Sequence, residues 1–122
     1  MMVRRQANQL PRLVESFFRE YLQNVRGASP HTIKTYRDTL RLLFIYLADV
    51  KEVSVADLQL NDLNVEGIIM FLTQLETKRG NKVATRNCRL AAIRGFIKHL
   101  IRHDPTHAEQ YQQTLSLPSK KA

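Results

Sequence analysis

From Lys82 to Arg102 the chain reads KVATRNCRLAAIRGFIKHLIR, and apolar residues recur at Leu90, Ile93, Ile97 and Leu100. Steps of three and four put these side chains on one stripe of an α-helix. The same stretch carries Lys82, Arg86, Arg89, Arg94, Lys98 and Arg102 and no acidic residue. Such a helix must lay its stripe against other helices, and its remaining surface is purely cationic, which suits a polyanion.

Three further segments have the same periodicity. Leu10 to Val25 carries Val14, Phe17, Phe18, Tyr21, Leu22 and Val25, with Gly27 placed to cap the helix end. Ser29-Pro30 opens a second helix: serine accepts from the first free N–H groups and proline is preset for the first helical position. Ile33, Tyr36, Leu40, Leu43, Phe44 and Leu47 form its stripe. Its second half, LLFIYLA, is apolar nearly all round, so this helix is expected to be the most buried. Lys51 to Asn61 reads as a loop. Asn64 then caps a third helix, with Glu66 in the positive first turn and Ile68, Ile69, Leu72 and Leu75 as core face. Arg79-Gly80-Asn81 is a turn. The basic fourth helix ends near His103, where Asp104-Pro105 stops it. Residues 106–113 form a short fifth helix, residues 1–9 a polar tail, and SLPSKKA a polar, basic linker. With Gly 4 and Pro 4 in 122 residues, breakers are too rare to interrupt these helices. No strand alternation competes, so the chain is expected to be an all-α bundle.

The charge balance narrows the partner. The formal net charge is +8 and the pI about 10.1, which favours nucleic acid or an anionic surface. Asp49, Glu52, Asp57, Asp62 and Glu66 stand together against a lone Lys51, so the positive excess falls on the N-terminal segment, the second helix and above all the fourth. Cys88 is the single cysteine, which excludes an intramolecular disulfide and suits a reducing cytoplasm. The N-terminus lacks the apolar core of a secretory signal, and Leu42 to Ala48 is far too short to span a bilayer. No membrane partner is expected.

The candidate binding residues gather at two helix starts. Ser29, His31, Thr32, Lys34 and Thr35, followed by Arg37 and Arg41, belong to the second helix. Lys82, Thr85, Arg86, Asn87 and Arg89, followed by Arg94 and Lys98, belong to the fourth. Threonine and asparagine bond phosphates or base edges, arginine reads guanine bidentately, and a helix N-terminus attracts phosphate. The plainer alternatives are that Ser29, Thr85 and Asn87 only cap helices and that the cations only solvate a surface. A solvated face usually mixes signs, and the fourth helix offers no acid for pairing. Arg86 and Arg89 are therefore read as exposed. His99, His103 and His107 recur every four residues, but no further ligand completes a metal set and the Asp104-Pro105 break takes His107 off the face. Cys88 reads as a small packing residue. Tyr21, Tyr36 and Tyr46 fall at core positions and Tyr111 in a polar tail. No phosphate-binding glycine loop or nucleophile motif occurs, so no cofactor, metal or small-molecule substrate is expected.

The pieces LVESFFREYL (13–22), SPHTIKTYRDTLRLLFIYL (29–47), LNVEGIIMFLTQL (63–75) and ATRNCRLAAIRGFIKHL (84–100) resemble, in this order, the N-terminal core-binding, SAM-like domain of tyrosine recombinases of the phage-integrase and Xer type. Ser29, Thr32, Tyr36 and Arg37 carry the most specific match; Thr85, Asn87, Arg89 and Leu90 carry the next. The resemblance implies a four-helix orthogonal bundle with a short fifth helix, over residues 10–104, and a short helix with an interdomain linker over 105–122. It implies half of a clamp around double-stranded DNA, with the second and fourth helices at the major groove. It implies other recombinase protomers as partners in the full-length protein. Catalysis would belong to a following domain, so this chain is not expected to be an enzyme, although its full-length parent would be a tyrosine recombinase. Lys82, Arg86 and Cys88 depart from residues common in relatives, which bears on base contacts and not on fold. A stand-alone DNA-binding remnant of a truncated integrase and a helical protein–protein module are the alternatives.

Overall fold

A computed structural model of the chain describes residues 9–25 and 27–121, with backbone alone for Asn24 and Val25. The polar tail expected over residues 1–9 lies outside the described residues apart from Gln9, as does the side chain of Val25. The described residues form an all-α bundle of five helices, with short 3₁₀ turns in two of the connections.

Helix α1 spans Leu10–Ser16 and continues without a break as a π-helical segment, Phe17–Val25. The expected single α-helix therefore widens at Phe17. Leu13, Phe17 and Leu22 are all buried, and their spacing of four and then five residues fits the wider π turn. Val14, Phe18 and Tyr21 pack at the margin of the core. Gly27 adopts φ +58, the left-handed geometry expected of a residue closing a helix end.

Helix α2 spans Pro30–Lys51, and the Ser29 side chain caps it by accepting from the Thr32 N–H at 3.1 Å. Its core face is Thr39, Leu40, Leu43, Leu47 and Ala48, whereas Ile45 is 48% exposed. The expectation that α2 is the most buried helix is not met. That place belongs to α4, Val83–His103, which buries Leu90, Ala92, Ile93, Gly95, Phe96, Ile97, His99 and Leu100. The reason is position: α4 packs against α1 and its π continuation, α2, α3 and α5. At its Gly95 the neighbouring elements approach closely. A Cβ there would lie 3.2 Å from Tyr36 Cε2 and 3.8 Å from Phe17 Cζ. Phe17 is the hub of an aromatic cluster, with ring centroids 5.3 Å from Phe96 and 5.4 Å from Tyr21.

Residues expected to be a plain loop instead form two 3₁₀ turns, Val55–Asp57 and Leu60–Asp62, and send Leu58 and Leu60 into the core, with Leu63 just beyond. Helix α3 spans Val65–Lys78, with the Asn64 side chain accepting from the Gly67 N–H at 2.8 Å. Its core face is Ile68, Phe71, Leu72 and Leu75. Ile69, expected inside, is 43% exposed. After Asp104, a 3₁₀ turn (Pro105–His107) leads into α5, Ala108–Leu115. Here Tyr111 is fully buried, not in a polar tail. Its phenol donates to Asp104 Oδ2 at 2.7 Å, and the same oxygen lies 2.6 Å from His107 Nδ1. Burial, then the hydrogen bond to Asp104, pushes the Tyr111 pKa well above the ordinary phenol range. Gln110 Nε2 donates to the Leu60 and Leu63 carbonyls at 3.0 and 2.9 Å, which fastens α5 to the 3₁₀ segment.

Candidate nucleic-acid interface

The two basic helix starts come together, but not all of their candidate residues share one surface. The N-terminal halves of α2 and α4 border a cleft lined by Thr35 and Asp38 from one side and Thr85, Cys88 and Arg89 from the other. The cleft runs on past Arg41 and Arg79. Cys88 is exposed here and is not the packing residue expected. Neither Arg79 nor Asp38 stands out in the sequence, the first because it lies in a turn and the second because an acid does not advertise a polyanion site. No hydrogen bond or ion pair joins the Asp38 side chain to another described residue.

Arg89 does more than line the cleft. Its Nη1 donates to Thr39 Oγ1 at 3.2 Å and its Nε to Asn81 Oδ1 at 3.4 Å, so one half-buried guanidinium fastens α4 to α2 and to the α3–α4 turn. Arg86 lies with Nε 3.1 Å from Glu76 Oε1 of α3, its side chain only 12% exposed. The expectation that both arginines are fully exposed is thus corrected. The acid that α4 lacks is supplied by its neighbour, which no spacing rule along α4 could reveal.

Asn87 and Arg94 meet the C-terminal segment. Asn87 Nδ2 donates to the Lys120 carbonyl at 2.8 Å, and the Lys120 N–H donates to Asn87 Oδ1 at 2.9 Å. Lys120 Nζ reaches both oxygens of Glu76, at 3.0 and 2.9 Å, and Arg94 Nη1 lies 3.5 Å from Ser119 Oγ. Ser29 is engaged in capping and also donates to Thr32 Oγ1 at 3.0 Å; Thr35 Oγ1 donates to the His31 carbonyl at 3.1 Å. His31, Lys34, Arg41, Lys82, Thr85 and Lys98 are exposed. Arg37 is exposed too and stands over the Phe18 ring at 5.5 Å, on the side of α2 that faces the π segment.

Arg89→Ala should therefore lower stability by about 1–2 kcal/mol, since bonds from a half-buried charged group are removed. Lys98→Ala, at an exposed and unpaired position, should change it by less than about 0.5 kcal/mol. Urea unfolding of the two variants checks the difference, and equal midpoints would mean that Arg89 holds nothing together.

The three histidines do not gather. His99 is buried, and its Nε2 lies 2.8 Å from Ser16 Oγ. That hydroxyl donates to the Leu13 carbonyl at 3.0 Å, which assigns the proton of the shared bond to His99 Nε2. The His103 ring lies 4.4 Å away, tilted by 51°, while His107 is engaged by Asp104. Among the described residues no three His, Cys, Asp or Glu side chains lie together as a metal set, and no helix is long and apolar enough to cross a membrane.

The family model described as "Phage integrase, N-terminal SAM-like domain" matches residues 14–104. Two curated relatives come from Sinorhizobium fredii (strain NBRC 101917 / NGR234). "Putative integrase/recombinase y4rD" is 44% identical over 110 residues, covering 90% of this chain and 39% of that protein. "Putative integrase/recombinase y4rC" is 38% identical over 109 residues, covering 89% of this chain and 33% of that protein. This chain therefore spans well under half the length of either. No solved structure matches it significantly. The matched region is the N-terminal domain and not the catalytic domain of a tyrosine recombinase. A five-helix bundle whose basic α2 and α4 adjoin, matched along most of its length by that model, belongs to the phage-integrase N-terminal SAM-like domain family.

Proposed function

We propose that this chain is the core-binding module of a tyrosine-type site-specific recombinase, and that it meets duplex DNA through α2 and α4. The bundle is read as the orthogonal four-helix arrangement of residues 10–104, with residues 105–122 leading out of it. The protein acts in the cytoplasm, where its longer parent joins other protomers on DNA. The observation that carries this reading is the cleft between the N-terminal halves of α2 and α4, which brings Arg41, Arg79 and Arg89 beside Thr35 and Thr85. Arginine and threonine are donors to phosphate oxygens and base edges, and two helix N-termini add their partial positive charge.

A labelled duplex titrated with the chain should show weak binding, with Kd about 10⁻⁴–10⁻⁶ M at physiological salt and little sequence preference, because half a clamp makes few contacts. Affinity should fall steadily as salt rises. Binding indifferent to salt would remove the electrostatic basis of the proposal.

A second reading, a protein–protein module, is favoured by one feature. Val14, Phe18, Leu40, Phe44, Ile45 and Val55 line an apolar groove with Arg37 and Arg41 at its rim. Self-association without salt-dependent DNA binding would favour it.

A further inference from the structure

We infer that Asn87 is a positioning residue for DNA binding: it does not touch DNA but clamps the C-terminal segment so that Lys120 and Lys121 extend the cationic face of α4. The inference rests on the DNA-binding reading above. Asn87 uses both ends of its amide on the Lys120 backbone, Nδ2 donating to the carbonyl and Oδ1 accepting from the N–H, and Oδ1 accepts from Arg86 Nη1 at 3.3 Å as well. An amide paired in this way has few bonds left for a base edge. The contacts are built around Glu76, the acid that α3 sets against the start of α4. Arg86 and Lys120 both engage it, so a carboxylate that would repel phosphate is neutralised from two sides. Lys121 follows at an exposed position, and no hydrogen bond or ion pair joins it to a described residue. The segment thus brings one lysine that cancels a negative charge and another left open to bind.

The test is a double-mutant cycle on the full chain, read by anisotropy of a labelled duplex between about 50 and about 200 mM salt. Asn87→Ala should weaken binding about threefold to tenfold at the low-salt end. It should also make the slope of log K against log salt shallower by about 0.9 for each phosphate no longer neutralised. In a Lys120→Ala/Lys121→Ala background, itself weaker than the wild type, Asn87→Ala should cost nothing further. Lys121→Ala alone leaves the clamp intact and should make the slope shallower by about 0.9, the value for one phosphate. Equal weakening by Asn87→Ala in both backgrounds would overturn the inference, because Asn87 would then touch DNA itself. No weakening in either background would overturn it too, because the tail lysines would then lie away from DNA. A wild-type chain that shows no salt-dependent binding would instead sink the DNA-binding reading from which the inference starts.

Discussion

Leu90→Ala should destabilise the fold by about 2–5 kcal/mol, and Ile93→Ala by a similar amount. Both side chains are fully buried on α4. The spread in cost for such truncations comes from how far neighbours collapse into the space left behind. Here collapse is hindered on every side. α4 touches α2, α3, α5 and the first helix, and the close approach at Gly95 fixes its distance from Tyr36. The upper half of the range is therefore expected. Urea or thermal unfolding measures it, while DNA affinity per folded molecule should stay near the wild-type value. A cost below about 1 kcal/mol would mean that the core repacks freely around α4.

Acid should weaken the fold through His99. Burial first, and then the neighbouring His103, lowers its pKa from 6.5 to about 4, with Arg102 acting in the same direction and Glu20 opposing. Between those two values the unfolded chain holds the extra proton and the folded chain does not. Stability therefore rises with pH across that window. The contribution is complete above about pH 6.5 and is lost progressively as the pH falls toward 4, about 3 kcal/mol in all. The structural cause is that His99 presents its Nε2 proton to Ser16 and its ring to Phe17 and His103, in space with little water to stabilise a second charge. His99→Phe keeps an aromatic ring in that space and removes the titration. Unfolding midpoints at pH 7 and pH 4.5 should separate less in the variant than in the wild type. Equal separation would place the acid sensitivity on other groups.

How much of this was legible in the residues differs from element to element. The starts of α2 and α3 could be read because their signals are local: Ser29 and Asn64 each bond an N–H three residues on. The core face of α3 could be read only in part. Ile69 and Phe71 both suit a helical stripe with Ile68, Leu72 and Leu75, and what selects Phe71 is a partner, the Tyr46 ring 5.8 Å away on α2. The π segment was hidden because apolar residues at 17, 18, 21 and 22 satisfy either pitch. In the candidate site, the cationic character of α2 and α4 was evident, whereas its division among a cleft, an ion pair and a clamped tail was not. Glu76 pairs with Arg86 across helices, and Asn87 meets Lys120 from 33 residues away. A window of about eleven to eighteen residues reads the periodicity of one helix; the first pairing crosses a turn between two helices and the second lies beyond its reach.

The bond from Arg89 to Thr39, together with the missing side chain at Gly95, has a consequence for kinetics. The cleft walls are joined by a hydrogen bond and by the close approach of Tyr36 to Gly95 before any ligand arrives, so on the proposed reading α2 and α4 would meet a duplex as one preformed surface. Such a surface gives up little internal freedom when it docks, and association is then governed by diffusion and charge rather than by a slow rearrangement. Any shape mismatch must be taken up by the double helix itself. Target sites whose grooves widen or bend easily should then be favoured over stiff ones, even at base pairs that no side chain reaches.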